Sequence, residues 1–382
     1  MNILQINRNY LDTTLHQLMS EKLIEHNINN TVFVPVYDRK LALIKPNKNV
    51  YVSECFRKAD RLIFDLKQLK IRKALEENIN VNRFDCIHAF TLFTDGNCAM
   101  KLSEKYSVPY VVAVRNTDVN TFFEKMPFLR ARGIKIMENA SAIFFLSETY
   151  RKHVFEKYVP ERKQGMLISK VRIVPNGIDD YWFENLRTVK MDVDIKHLHD
   201  KEIRLVYAGK IDRNKNILTT LKAIELLQEQ GYKIKFTIAG NIIDQSVYKK
   251  IINKSYINYI NYQPKEKLIE VYRNNDIFIM PSFTESFGLV YVEAMTQGLP
   301  VIYTKGQGFD GQFDEGKVGY HVDPYRPEDI VEAVKKILDN YLTISRNCIL
   351  LSQRFCWDKI ILEYKEIYGN IVSRRSESCE NS

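Results

Sequence analysis

Met280-Pro281-Ser282-Phe283-Thr284-Glu285-Ser286-Phe287-Gly288-Leu289-Val290-Tyr291-Val292-Glu293-Ala294-Met295 is the stretch from which the rest of the 382-residue chain can be read. An apolar strand over residues 276–280 stops at Pro281. A helical pattern starts near Gly288 and ends at Gly298-Leu299-Pro300, where the next strand begins. The break leaves a loop at the carboxyl end of a strand. Gly288 permits close approach of a backbone, and the amides of Phe287, Gly288 and Leu289, orphaned in a first helical turn, carry partial positive charge. Together they outline a diphosphate site. Glu285 lies just ahead of these amides and Glu293 eight residues later, so at a helical rise of about 1.5 Å per residue the two carboxylates are expected about 12 Å apart. Carboxylates that act together on one glycosidic bond sit about 5 to 9.5 Å apart. The pair therefore reads as holding opposite ends of an extended ligand the length of a nucleotide-sugar; the plain alternative is two glutamates on a surface helix.

Upstream, residues 203–208 form a strand that runs into Gly209-Lys210-Ile211-Asp212-Arg213-Asn214-Lys215-Asn216. A glycine at a strand end followed by Lys210 and Lys215 suits neutralisation of a diphosphate leaving group, against the plain reading of lysines on a solvated loop. A helix over 217–230 and strands over 233–239, 257–262, 276–280 and 300–303 follow. The first half has the same alternation: strands over 1–7, 31–36, 50–52, 85–90, 110–114 and 142–146, with helices from Thr13 and over 96–106, 121–139 and 148–157. Such alternation implies doubly wound parallel sheets with ligands at the strand carboxyl ends. The turn after Val171-Arg172-Ile173-Val174 marks a boundary between domains at 1–176 and 177–355. Residues 326–351 are helical, 356–372 form a long amphipathic helix, and the polar tail 373–382 is expected to be disordered.

The length exceeds what one core usually supports, so two domains are expected. A net charge of +9 fits nucleic acid, an anionic membrane or phosphorylated ligands. No zinc-finger spacing or RNA-binding aromatic motif accompanies it, so no nucleic-acid partner is expected. Six scattered cysteines and the absence of a signal peptide before the first strand point to the cytoplasm. No apolar run reaches the roughly 18 to 20 residues of a membrane span. In residues 56–77, Phe56, Ile63, Phe64, Leu66, Leu69, Ile71 and Leu75 interleave with Arg57, Lys58, Arg61, Lys67, Lys70, Arg72 and Lys73. This basic amphipathic helix either packs one face on its own sheet or docks on anionic lipid or a lipid-linked acceptor at the inner face of the plasma membrane. Asp192-Val193-Asp194 with His197 and His199 has the composition of a metal site but lies in a charged linker, so no metal is assigned. His88, ending an apolar strand, is either a core or a cleft histidine.

With these residues assembled, the chain resembles the retaining glycosyltransferases of family 4, over nearly its whole length. The resemblance rests on Glu285 and Glu293 with Phe287-Gly288-Leu289 between them, on the loop from Gly209-Lys210 to Lys215, and on Pro175-Asn176-Gly177-Ile178-Asp179. Arg115-Asn116-Thr117-Asp118-Val119-Asn120 is similar to the acceptor-side loop of bacterial envelope-polysaccharide members. One departure is the loop after the first strand, where many members have a glycine pair and this chain has Asn7-Arg8-Asn9-Tyr10-Leu11-Asp12. The resemblance implies an α/β chain of the GT-B fold, two facing Rossmann-like doubly wound domains, with helix 356–372 crossing back to the amino-terminal domain. It implies that Glu285 contacts the donor sugar, Glu293 the ribose, and Lys210 and Lys215 the diphosphate, the first usually being arginine. Phe287, Gly288, Leu289 and Gly209 complete the donor site, and His88, Arg115, Asp118 and Asn120 are the acceptor-side candidates. The implied activity is transfer of a hexose from a nucleoside diphosphate sugar to a hydroxyl of a glycan or lipid-linked acceptor, with retention, no metal and no cofactor, in surface polysaccharide synthesis. The same fold also hosts nucleotide-sugar 2-epimerases and phosphorylases, and a catalytically silent nucleotide-sugar-binding protein is a third reading.

Overall fold

The computed structural model describes residues 1–38, 49–188 and 195–380, the last five by backbone alone. It divides into two units, Met1–Gly177 with Trp357–Ser382, and Ile178–Cys356. The first is built on seven strands: β1 (Asn2–Ile6), β2 (Asn29–Val36), β3 (Val50–Glu54), β4 (Cys86–Ala89), β5 (Tyr110–Ala113), β6 (Ala142–Phe145) and β7 (Val171–Ile173). Their order is β3-β2-β1-β4-β5-β6-β7, and every pair is parallel. The central strands are continuous buried apolar runs, such as Val111-Val112-Ala113 and Ile143-Phe144-Phe145, because helices cover both faces of the sheet. The chain winds outward from β1 in one direction and from β4 in the other. Loops leaving these two adjacent strands diverge, and a crevice opens at their carboxyl ends.

The last helix, Trp357–Glu380, belongs to this unit. Trp357, Ile360, Ile361, Tyr364 and Tyr368 are buried against Ile3, Cys86, Phe90, Val111 and Phe144, so the helix packs back on the amino-terminal sheet. Gly177 is small for this reason: a Cβ there would lie 2.6 Å from the Trp357 ring. The polar end expected to be disordered is helical as far as Glu380. A helix already nucleated by packing extends at the cost of one residue per added hydrogen bond, and Arg375 adds a bond to the carbonyl of Phe84 (3.2 Å).

Residues 56–77 are not one helix. A 3-10 turn, Lys58–Leu62, is followed by Ile63 in extended conformation and then by a helix, Phe64–Asn78. The break turns Lys67 into the protein, and Lys70 is held by Asp60 at 2.7 Å, so two of the stretch's lysines do not face solvent freely. Residues 121–139 are likewise divided by Pro127, with an α-helix only over Arg130–Asn139.

The second unit has six parallel strands: β8 (Glu202–Ala208), β9 (Lys233–Ala239), β10 (Ile257–Ile260), β11 (Ile277–Ile279), β12 (Val301–Thr304) and β13 (Gly319–Val322), in the order β10-β9-β8-β11-β12-β13. The winding reverses between β8 and β11. At the other end of these strands, buried Asp276 accepts hydrogen bonds from the backbone and guanidinium of Arg204 and pairs with His197 at 3.0 Å. His197 therefore serves this structural pair, and Asp192-Val193-Asp194 lies outside the described residues.

Candidate active site

The loops leaving β8 and β11, residues 209–216 and 281–288, lie side by side and are laced together by asparagines. Asn214 donates to the carbonyl of Thr284 (2.8 Å) and accepts from its N–H (3.1 Å), while the Asn214 carbonyl takes the N–H of Phe283 (2.8 Å). Asn216, in the left-handed region at φ +56°, starts the helix Ile217–Glu229 and donates to the carbonyls of Pro281 and Pro324 (2.9 and 2.6 Å). Asparagine tolerates that backbone better than other side chains. These contacts fix Lys215, whose ammonium reaches Glu285 Oε2 at 2.6 Å and whose N–H is held by Asp212 (2.9 Å). Both side chains of the pair are largely buried. Lys210 is exposed, and Tyr207 donates to its carbonyl (2.6 Å).

Glu285 is held from behind. Its N–H donates to Gln307 (2.9 Å), and its carbonyl accepts from Gly308 (3.2 Å), where a Cβ would lie 1.8 Å from the Ser286 carbonyl oxygen. Gly288 caps the helix Leu289–Thr296 at φ +80°, a conformation that favours glycine. Tyr291 in the first turn donates to the Met280 carbonyl at the end of the preceding strand (2.5 Å). Among the described residues, the N–H groups of Phe287, Gly288 and Leu289 have no acceptor. The Phe287 ring is buried against Phe309 and Phe355, so this residue offers a ligand its backbone only.

Glu293 lies one turn into that helix, half-buried, with no side-chain partner among the described residues. Burial, and secondarily Asp179, push its carboxyl up to about 7; Asp179 itself pairs with Lys265 at 2.7 Å. The expected 12 Å between the glutamates assumed helix from Glu285 onward. The helix starts only at Leu289, so the helical rise applies to the Leu289-to-Glu293 part alone, about 6 Å.

Residues 15–181 match the family model described as Glycosyltransferase Family 4, and residues 191–349 the model described as Glycosyl transferases group 1. The chain belongs to glycosyltransferase family 4. It is 26% identical over 324 residues to the D-inositol 3-phosphate glycosyltransferase of Paenarthrobacter aurescens, covering 77% of this chain and 76% of that one. Its fold is similar to that of a sucrose-phosphate synthase from Thermosynechococcus elongatus (TM-score 0.74, 17% identity, 98% and 100% covered). It is also similar to that of Anabaena HepE in complex with UDP and glucose (TM-score 0.66, 15% identity, 97% and 100% covered). The fold is GT-B, and this family 4 enzyme transfers a sugar from a nucleotide-sugar with retention.

The expected acceptor-side residues of the family 4 enzyme divide differently. His88 is wholly buried: its Nδ1 is 2.6 Å from the Tyr368 hydroxyl, and its ring stacks on Phe90 at 4.3 Å. Burial and the nearby Arg115 hold its pKa well below the usual histidine range. It is a core histidine, because β4 is covered by helices on both faces. Asp118 is also buried and accepts the N–H groups of Leu92, Phe93 and Arg115 (3.0, 3.1 and 2.9 Å), tying the loop after β4 to the loop after β5. It is a structural clasp, with burial pushing its carboxyl up to about 6. Arg115 and Asn120 are half-buried; Arg115 donates to the Phe90 carbonyl (3.4 Å) and Asn120 to Asn116. Sequence reading did not identify Asn214, Asn216, Gln307 or Gly308. The asparagines at a strand-to-helix loop were the available signal, since this residue type favours caps and left-handed turns.

Proposed function

We propose that this glycosyltransferase moves a hexose from a UDP-sugar to a hydroxyl of a glycan or lipid-linked acceptor in surface polysaccharide synthesis, without a metal. The observation that carries the reading is the Lys215–Glu285 pair beside the unpartnered amides of Phe287, Gly288 and Leu289. An ammonium has three N–H groups. One engages Glu285, leaving two for the leaving diphosphate, which Lys210 and the helix amides also neutralise. Glu285, anchored through its backbone, presents its carboxylate to the sugar hydroxyls, and the partnerless Glu293 accepts from the ribose hydroxyls. The acceptor oxygen bonds to the anomeric carbon as the bond to the diphosphate breaks, and a phosphate oxygen takes the acceptor's proton, so no protein nucleophile is required. The UDP assignment is supported by the UDP and glucose in the HepE complex.

The reading is tested by titrating UDP into the wild-type protein and Glu285→Gln, and by following UDP release from a panel of UDP-hexoses with and without EDTA. UDP affinity is expected to survive in Glu285→Gln while turnover falls. Loss of activity in EDTA that a divalent ion restores would overturn the metal-free arrangement.

Peripheral attachment belongs to the same reading. Leu62 and Phe128 are 89% and 76% exposed, Ile63, Leu66 and Leu69 are exposed as well, and Arg57, Lys58, Arg61 and Lys73 are exposed around them. Apolar side chains rimmed by cations suit an anionic interface. Leu62→Ser with Phe128→Ser is expected to release the protein from phosphatidylglycerol vesicles in sedimentation, with UDP binding unchanged; equal sedimentation of the variant would return these side chains to ordinary surface.

A further inference from the structure

The amino-terminal sheet has its own switch point, and the residues gathered there are charged in a way the transfer chemistry does not use. Arg8 is in the loop leaving β1, and Asp95 opens the helix Thr94–Tyr106 that follows β4, the two strands between which the winding reverses. Lys67 comes from the helix after β3. It is only 6% exposed, its ammonium lies 5.0 Å from the centre of the Phe56 ring, and it has no ion-pair partner among the described residues. An ammonium removed from water without a partner is costly. Its neighbours add to the cost, since Arg8 and Arg61 are both within electrostatic reach; Asp95 is the nearby carboxyl, and the Cys55 thiol stays protonated. Burial and these cations pull the Lys67 ammonium down to about 8.

Asp95 is orphaned in a complementary way. It is 1% exposed, and neither of its oxygens meets a partner in hydrogen-bond geometry among the described residues; the nearby Thr91 hydroxyl, which takes the Asp95 N–H (3.2 Å), only partly offsets the burial of the carboxylate. Burial pushes its carboxyl up to about 7, which favours the protonated form with an O–H that can donate. Arg61, stacked over the Tyr37 ring at 4.3 Å, and Lys58 at 5.5 Å from the same ring keep further positive charge at this end of the sheet. Positive charge is thus gathered at this end of the sheet, with Lys67 buried, Arg8 half-buried, and Lys58 and Arg61 exposed beside them. A neutral sugar would leave the buried ammonium without a counter-charge.

We propose that Arg8 and Lys67 form an anion site that holds the acceptor through a phosphate group, with Asp95 as a further hydrogen-bond partner. The assignment rests on the transferase reading above, of which it names the acceptor class: a phosphate ester, whether of a soluble polyol or sugar or of a lipid headgroup. A phosphate supplies acceptor oxygens for the ammonium, the guanidinium and a protonated carboxyl together.

The experiment titrates the full-length protein, Lys67→Gln and Arg8→Gln with glycerol 3-phosphate, with phosphatidylglycerol and phosphatidylcholine vesicles, and separately with UDP. Saturable binding of glycerol 3-phosphate by wild type, weakened about 10- to 100-fold in either variant with UDP affinity unchanged, supports the site and a soluble source. Binding confined to phosphatidylglycerol vesicles and lost in Lys67→Gln supports it with a lipid source. The proposal is overturned if wild type binds neither phosphate probe better than both variants do, or if UDP displaces glycerol 3-phosphate, which would place that anion in the donor site. Failure of wild type to bind UDP would sink the donor reading alone.

Discussion

At the switch point of the carboxyl-terminal sheet, the Lys215 ammonium sits 2.6 Å from Glu285; at that of the amino-terminal sheet, Lys67 is buried more deeply and has no carboxylate partner among the described residues. In the first unit's crevice Lys67 meets an aromatic ring but no carboxylate among the described residues, whereas the loops after β8 and β11 carry an ion pair that is formed before any ligand arrives. On the proposed donor reading, a nucleotide can leave without stripping the Lys215 ammonium of its carboxylate partner. The other side holds charge in reserve at the expense of stability, as functional sites commonly do.

The hardest test of this contrast removes Lys215. Lys215→Ala removes the ammonium proposed to meet the diphosphate and the ion pair to Glu285, and kcat/KM should fall about 100-fold or more. A loss under about threefold would mean that the pair merely fastens two loops. Next in size is the division between the two glutamates. Glu293→Ala should weaken UDP and UDP-sugar alike, by about tenfold, whereas Glu285→Ala should lower turnover with UDP affinity nearly intact. Equal losses of UDP affinity in both would break the assignment of ends.

Stability sharpens the comparison further. Replacing an unpaired buried charge with an apolar group of similar shape is often stabilising, so Lys67→Met should raise Tm while abolishing binding of the phosphate probe, and Lys215→Met should lower Tm. The expected gain for Lys67→Met is about 1 kcal/mol or more; a lower Tm in both variants would erase the distinction.

The smallest effect is in pH. Asp95 and Glu293 have carboxyls raised by folding, both to about 7. Their folded states hold protons more tightly than the unfolded chain, so the associated stability is complete below the unfolded carboxylate pKa and is lost as pH rises through 7. Asp95→Asn and Glu293→Gln should accordingly gain more Tm relative to wild type at pH 8 than at pH 5, by a few degrees in thermal denaturation.

The sequence made the alternating strands legible because parallel strands covered on both faces must be apolar throughout, as Val111-Val112-Ala113 is. It made the two loops that meet at Lys215 and Glu285 legible because Gly209, Gly288 and the lysines and glutamates around them occupy one short span at each of two strand ends. His88 and Asp118 misled for a physical reason: the same residue types serve a ligand or satisfy a buried backbone, and only tertiary packing decides. Lys67 sits in a run that reads as amphipathic, and its burial follows from the 3-10 turn ahead of it, which no spacing announces. β13 escaped because its four residues begin at Gly319, where a Cβ would lie 1.8 Å from the Val301 carbonyl oxygen; the residue that permits the pairing reads as a breaker of it.

Trp357, Ile360, Ile361, Tyr364 and Tyr368 complete the core beside β1, β4, β5 and β6, yet they are made after every strand of both units. On the ribosome, of these two units the one begun earlier is thus completed later. Its sheet is synthesised with one face waiting through all of residues 178–356, during which Ile3, Cys86, Phe90, Val111 and Phe144 lack the helix that covers them. Such transiently open apolar surface is what chaperones engage and what aggregates when they are absent. A nascent chain stalled before Trp357 should therefore already bind UDP through its completed second unit while its first unit is still cleaved readily by protease.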